Sequence, residues 1–154
     1  MNALTQSTAA QPSLARSGND LERARRLLQQ TLEFVREQAQ PWPGSGLAKA
    51  SDDPYVISRF GDLHIRIEVA AALHERADAL RSNSQDPAEI AVAQAEAAIA
   101  SADALLAASN AEFELTGQRS PQLGALQDPL RWKYQLIGNY RLNGVLPADL
   151  GGAH

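Results

Sequence analysis

Residues 86–117 read DPAEIAVAQAEAAIASADALLAASNAEFELTG, and this stretch decides the fold. The Asp86 carboxylate can accept from orphan backbone donors while Pro87 takes the first helical position, where its missing N–H costs nothing. Glu89 sits where a reciprocal cap with Asp86 would form, and Gly117 supplies a left-handed stop. Twelve of the 24 residues from Ala88 to Ala111 are alanine. The spacing therefore predicts one helix over 87–116 that lets its neighbours come close and fills little volume itself.

The same punctuation recurs on either side. Asp53-Pro54 predicts a helix from Pro54 to about Arg81, with Val56, Phe60, Leu63, Ile67, Ala70, Leu73 or His74, and Ala77 turned inward. Asp128-Pro129 predicts a last helix to about Leu142, ended by Asn143-Gly144, with Trp132, Leu136 and Tyr140 on one stripe. A first helix is expected from Asn19 or Asp20, with Leu21, Ala24, Leu28, Leu32, Val35 and Ala39 in helical register and Leu27 and Phe34 widening that face. Gln40-Pro41-Trp42-Pro43-Gly44-Ser45-Gly46 ends it. No period-two run of β-branched residues suggests a strand. The fold class expected is all-α, an antiparallel four-helix bundle over 19–147, with a mobile tail at 1–18 and a second tail at 148–154.

Composition narrows the function. The 154 residues carry 14 basic and 18 acidic side chains, a formal charge of −4, which argues against a nucleic-acid partner held through phosphates. Zero cysteines remove thiolate nucleophiles, disulfides and sulfur-ligated metals. No uninterrupted apolar run approaches the ~18 residues of a membrane span, and residues 1–18 lack the pattern of a secretion signal. A cytoplasmic protein without a membrane partner is the expectation.

Several short motifs occur in a telling order. They are Phe34-Val35-Arg36 before Pro41-Trp42, Asp52-Asp53-Pro54-Tyr55-Val56-Ile57 with Gly61-Asp62-Leu63, and Phe113-Glu114-Leu115-Thr116-Gly117. Asp128-Pro129-Leu130-Arg131-Trp132-Lys133-Tyr134, Ile137-Gly138-Asn139-Tyr140 and Leu142-Asn143-Gly144 then close the series. From Asp20 to about Pro147 the chain resembles the C-terminal helical domain of the acyl-CoA dehydrogenase superfamily. The similarity is to its bacterial flavin-dependent monooxygenase branch, which includes the dibenzothiophene and sulfone monooxygenases. The resemblance implies a four-helix bundle and relatives that hold flavin between this bundle, a β-domain and an N-terminal helical domain.

The departures are as informative. Nothing in these residues corresponds to the other two domains. Between Gly117 and Asp128 the family usually has a longer stretch rich in Arg and His, with flavin contacts and a catalytic base, whereas here there are ten residues, from Gln118 to Gln127, with Arg119 as the one cation. Gln40 stands where the family tends to place Arg, removing a cation suited to phosphate. The resemblance thus implies no cofactor bound by this chain alone, with FAD or FMN only alongside a partner. The function expected is an oligomeric subunit of a flavin-dependent oxidoreductase or monooxygenase system, a homo-oligomer or the companion of a flavoprotein. The alternative is a flavin-free enzyme or binding protein that takes a hydrophobic small molecule between its helices.

Catalytic residues are not identifiable in the sequence. His64 and Glu68, four apart, read as an exposed intrahelical pair; His74, about 15 Å further along, cannot share an ion with His64. No metal site is expected. Asp62, Glu68, Glu75 and Asp78 alternate with Arg66, Arg76 and Arg81 as a solvated face would. The polar-aromatic cluster of the last helix supplies the ligand-binding candidates, Arg131, Trp132, Lys133, Tyr140 and Asn143: cations for an anion, rings for a planar ligand. Its structural reading is that Trp132 and Tyr140 anchor the helix. Trp42 is expected to pack over the bundle end.

Overall fold

The computed structural model describes residues 12–121 and 129–146. They form four helices, α1 (Pro12–Glu37), α2 (Pro54–Asn83), α3 (Pro87–Thr116) and α4 (Leu130–Asn143), with a 3-10 turn at Ala50–Asp52 and no strand among the described residues. The caps follow the sequence logic. The Asp53 carboxylate accepts from Tyr55 N–H and that of Asp86 from Ala88 N–H. Gly117 and Gly144 end their helices at φ +73° and +69°, a conformation that suits a residue without Cβ. Glu89 does not reach back to Asp86. It accepts from the Ser84 hydroxyl, which in turn accepts from Asp86 N–H.

The first helix starts seven residues before the expected Asn19, so residues 12–18 are not tail. Leu14 and Ser17 are buried, and Gly18, which reads as a breaker in sequence, is a point of close approach. A Cβ there would lie 3.3 Å from His74 Cε1 on α2. Asp20, expected as a cap, is instead a buried residue inside α1. Residues 1–11, Asp128 with its expected cap, and the tail at 148–154 lie outside the described residues.

The helices run up, down, up and down. Leu14 near the start of α1 packs with Ala77 near the end of α2 and with Ala93 and Ala97 near the start of α3. Further along, Leu21, Ala24 and Leu27 meet Ile67, Ala70, Ala104 and Ala108. Thus α1 and α3 are parallel, with α2 antiparallel to both. The buried apolar side chains are mostly alanine, and the largest that are wholly enclosed are Leu63 and Val92. Small side chains let backbones approach, so close packing over long contacts replaces bulk.

α3 is the hub. It packs on α1, α2 and α4, whereas among the described residues α4 packs on no other helix. Its composition is long and apolar enough to cross a membrane, and a helix surrounded by three others needs an apolar surface all round for the same reason. α4 contributes no buried residue.

Candidate functional site

The five candidates from the sequence all fall on α4. Arg131 and Asn143 are exposed, Lys133 and Tyr140 half-buried, and Trp132 is 52% exposed. Helical geometry keeps them apart. Arg131 and Lys133, two residues apart, point to different sides. Trp132 and Tyr140, eight apart, share a face about 12 Å apart along the axis, too far to sandwich one ring. Asn143 Nδ2 donates to Asn139 Oδ1 at 2.8 Å, and the Arg141 guanidinium lies over the Tyr140 ring at 5.6 Å. Within this chain the cluster is a helix surface rather than one pocket. The anchoring role expected for Trp132 is also absent, since its ring is half in solvent. Trp42 is 77% exposed and covers no bundle end.

The histidines have separate settings. His64 is exposed, and Glu68 faces Arg25 of α1 at 4.0 Å. His74 Nδ1 lies 2.8 Å from Ser17 Oγ, whose hydroxyl donates to Leu14 O at 3.0 Å. With the serine proton on the helix carbonyl, the imidazole donates to Ser17 Oγ through Nδ1. The serine is 1% exposed and bound to its own helix, so the pair ties α1 to α2 and is no nucleophile and base. No group of three or more His, Cys, Asp or Glu residues able to hold a metal occurs among the described residues.

The charged stripe of α2 does more than face solvent. Arg66 bonds Asp62 on its own helix at 3.0 Å and Asp103 of α3 at 2.9 Å. These two acids, Asp62 foremost, raise its already high pKa. Arg76 of α2 and Arg141 of α4 converge on Glu96 of α3 at 3.0 and 3.5 Å, the ionic link that holds the end of α4. At the other end, Tyr55 donates its hydroxyl to Glu114 Oε1 at 2.6 Å, beside Arg59 at 3.3 Å. The hydrogen bond to this carboxylate, more than any other cause, lifts the Tyr55 pKa above its ordinary value.

A cleft of about 280 Å³ lies where α1 and α3 both end. Gln30, Thr31, Glu33, Phe34 and Glu37 line it from α1, Gln38 from just beyond its end, Glu112 from α3, and Gln118 and Ser120 from the segment after α3. Glu112, 6% exposed, accepts from both the Ser120 N–H and its Oγ–H, the latter at 2.6 Å. Thr31 is 2% exposed, and its Oγ1 has no hydrogen-bond partner among the described residues. A second cleft, of about 340 Å³, lies near the start of α1 between Asn19, Glu22, His74, Asp78, Arg81 and Gln94. None of the five α4 candidates lines either cleft. Sequence reasoning missed the first of them, although Glu33 and Glu37, like charges four apart in the closing turns of a helix, were a readable signal.

No protein-family model matches the chain. Over 146 residues it is 31% identical to the dibenzothiophene monooxygenase of Mycolicibacterium goodii, covering 80% of this chain and 35% of that protein. The same enzyme from Rhodococcus erythropolis is 30% identical over 75% of the chain and 33% of its own length. The chain is a homologue of the dibenzothiophene monooxygenases. It spans about a third of their length. Among solved structures, the indole-bound form of TdsC from Paenibacillus sp. A11-2 superposes with a TM-score of 0.74 at 22% identity, over 88% of this chain and 40% of that one. The methanesulfinate monooxygenase MsuC of Pseudomonas fluorescens gives 0.65 at 22% identity over 88% and 41%. The all-α bundle is thus the helical fold of these relatives, which belong to the acyl-CoA dehydrogenase fold family.

One TdsC structure is a complex with FMN and indole, so the fit of a flavin to this chain can be tested. The cleft that includes Gln118 and Ser120, from the stretch where the resemblance implies flavin contacts, presents three carboxylates and no Arg, Lys or His. A flavin phosphate needs the opposite charge. The residues of this cleft do not fit it.

Proposed function

We propose that this chain is the helical component of a flavin-dependent monooxygenase system, an oligomeric subunit whose flavin is held by a partner flavoprotein. The observation that carries this reading is α4, a helix with no buried residue that leaves Trp132, Tyr134 and Leu142 exposed. Exposed large apolar groups also stand on α2, at Ile65 and Val69, and on α3, at Leu106 and Phe113. An assembly is what would cover apolar groups of this size. The homologues are about three times longer, and in such proteins further domains are available to cover a helical part. The misfit of the acidic cleft to phosphate supports a flavin held elsewhere.

Size-exclusion chromatography with light scattering, on the chain alone and mixed with a flavin-loaded dibenzothiophene monooxygenase-like protein, tests the reading. A multimer, or a stable mixed complex absorbing at the flavin bands, is expected. A colourless monomer that ignores the flavoprotein contradicts it.

A further inference from the structure

We propose that the cleft between the C-terminal ends of α1 and α3 binds an organic cation through a guanidinium or primary ammonium group. Four independent features converge there. First, the parallel arrangement of α1 and α3 brings two helix C-termini to one place, each the negative end of its dipole. Second, Glu33 and Glu37 stand four apart on α1 and both line the cleft, an unfavourable like-charge pair at the wrong end of a helix for acids. Third, the Glu112 carboxylate is buried beside them; Ser120 supplies two donors, and no cation among the described residues lines the cleft to neutralise it. Fourth, Thr31 in the cleft wall is 2% exposed, and its hydroxyl, a group that ordinarily finds a hydrogen bond, has no partner among the described residues.

The lining also selects the kind of cation. The acids do not converge in a metal-holding group among the described residues, so a single hard ion is not the best match. Three glutamine side chains, two hydroxyls and three carboxylates offer many separate acceptors, which suits a group with several N–H donors spread in space. Phe34 adds an aromatic ring to the lining, and such rings attract cations. The volume, about 280 Å³, accommodates a side-chain-sized ligand rather than a drug-sized one. Two cations adjoin the lining in sequence: Arg36 is exposed and lines no part of the cleft, and Arg119 is engaged elsewhere, reaching toward Ser109 and Asn110 at 3.4 Å and lying over Phe113 at 5.1 Å.

The proposal is independent of the flavin reading. Its test is calorimetric titration of the full chain at low ionic strength with agmatine, which carries a guanidinium and an ammonium, and separately with the capped peptide acetyl-Gly-Arg-Gly-amide. Saturable binding of at least one is expected. Tighter agmatine binding assigns a free small cation as the source, and tighter peptide binding an arginine of a partner. Glu112→Gln should weaken binding about tenfold or more. Glu37→Gln and Thr31→Val, which leave the Ser120 contact in place, should each weaken it several-fold with the helical circular dichroism unchanged. Binding that all three variants retain, no saturable binding, or displacement by magnesium chloride as effective as by arginine at equal ionic strength would overturn the proposal.

Discussion

The three long helices and the short last one are built on different terms. α1, α2 and α3 share two continuous buried clusters, from Leu14, Ala77, Ala93 and Ala97 at one end to Leu27, Ile67 and Ala108 further along. α4 has one neighbour, one ionic link through Glu96 to Arg141, and none of its residues buried. Yet α4 holds the densest set of aromatic and polar residues in the chain, and the long helices are largely alanine and aliphatic. The contrast teaches that aromatic content marks exposed surface here, and that small side chains mark the core.

Substitutions should separate the two regions sharply. Leu63→Ala, at a side chain 1% exposed, is expected to cost about 2–5 kcal/mol in chemical denaturation. Trp132→Ala removes a far larger side chain and should shift the isolated chain by about 0.5 kcal/mol or less. An equal loss at the two positions would erase the distinction. Next in size, Ala108→Leu places bulk between α1 and α3 and should destabilise by about 1–3 kcal/mol. A neutral result there would mean that the helices are not in close contact.

The Gly18 contact sharpens the account of the α1 to α2 seam. Alanine in a helix is better than glycine by about 0.5–1 kcal/mol, but the added Cβ would meet His74 at 3.3 Å. Gly18→Ala alone should therefore give no net gain in melting temperature, and the gain should emerge in a His74→Ala background. Additivity of the two changes would remove the contact from the explanation.

The smallest effect concerns Tyr55. Its neutral phenol is the form that donates to Glu114, and its pKa is raised. The folded value lies above the unfolded one, so the contribution is whole below the ordinary tyrosine pKa of about 10 and is lost as pH rises through the raised value. Ultraviolet titration against a Tyr55→Phe control should find ionisation later than in a free tyrosine, and Glu114→Gln should bring it back. A normal midpoint in the parent chain would contradict the hydrogen bond.

Helix number, type and most boundaries were legible, because Asp-Pro starts and glycine stops are local chemistry that α2 and α3 obey. The start of α1 was not. Gly18 reads as a break until the His74 ring that requires the missing Cβ is seen across the seam. Trp42 and Trp132 misled for the opposite reason, since large rings suggest a core and this core is made of alanine. The α4 candidates are neighbours in sequence and dispersed on a helix surface. The acidic cleft draws on residues some eighty positions apart, Thr31 to Glu112, and depends on α1 and α3 running parallel, which no local pattern encodes.

Hydrogen exchange along the chain, followed as a function of protein concentration and of added flavoprotein, tests the central claim most directly. Amides of α3 should be protected throughout. Those of α4 should exchange fast when the chain is dilute and alone, and gain protection as copies or partner cover Trp132, Tyr134 and Leu142. Protection of α4 equal to that of α3 in dilute isolated chain, unchanged by concentration or partner, would contradict the account.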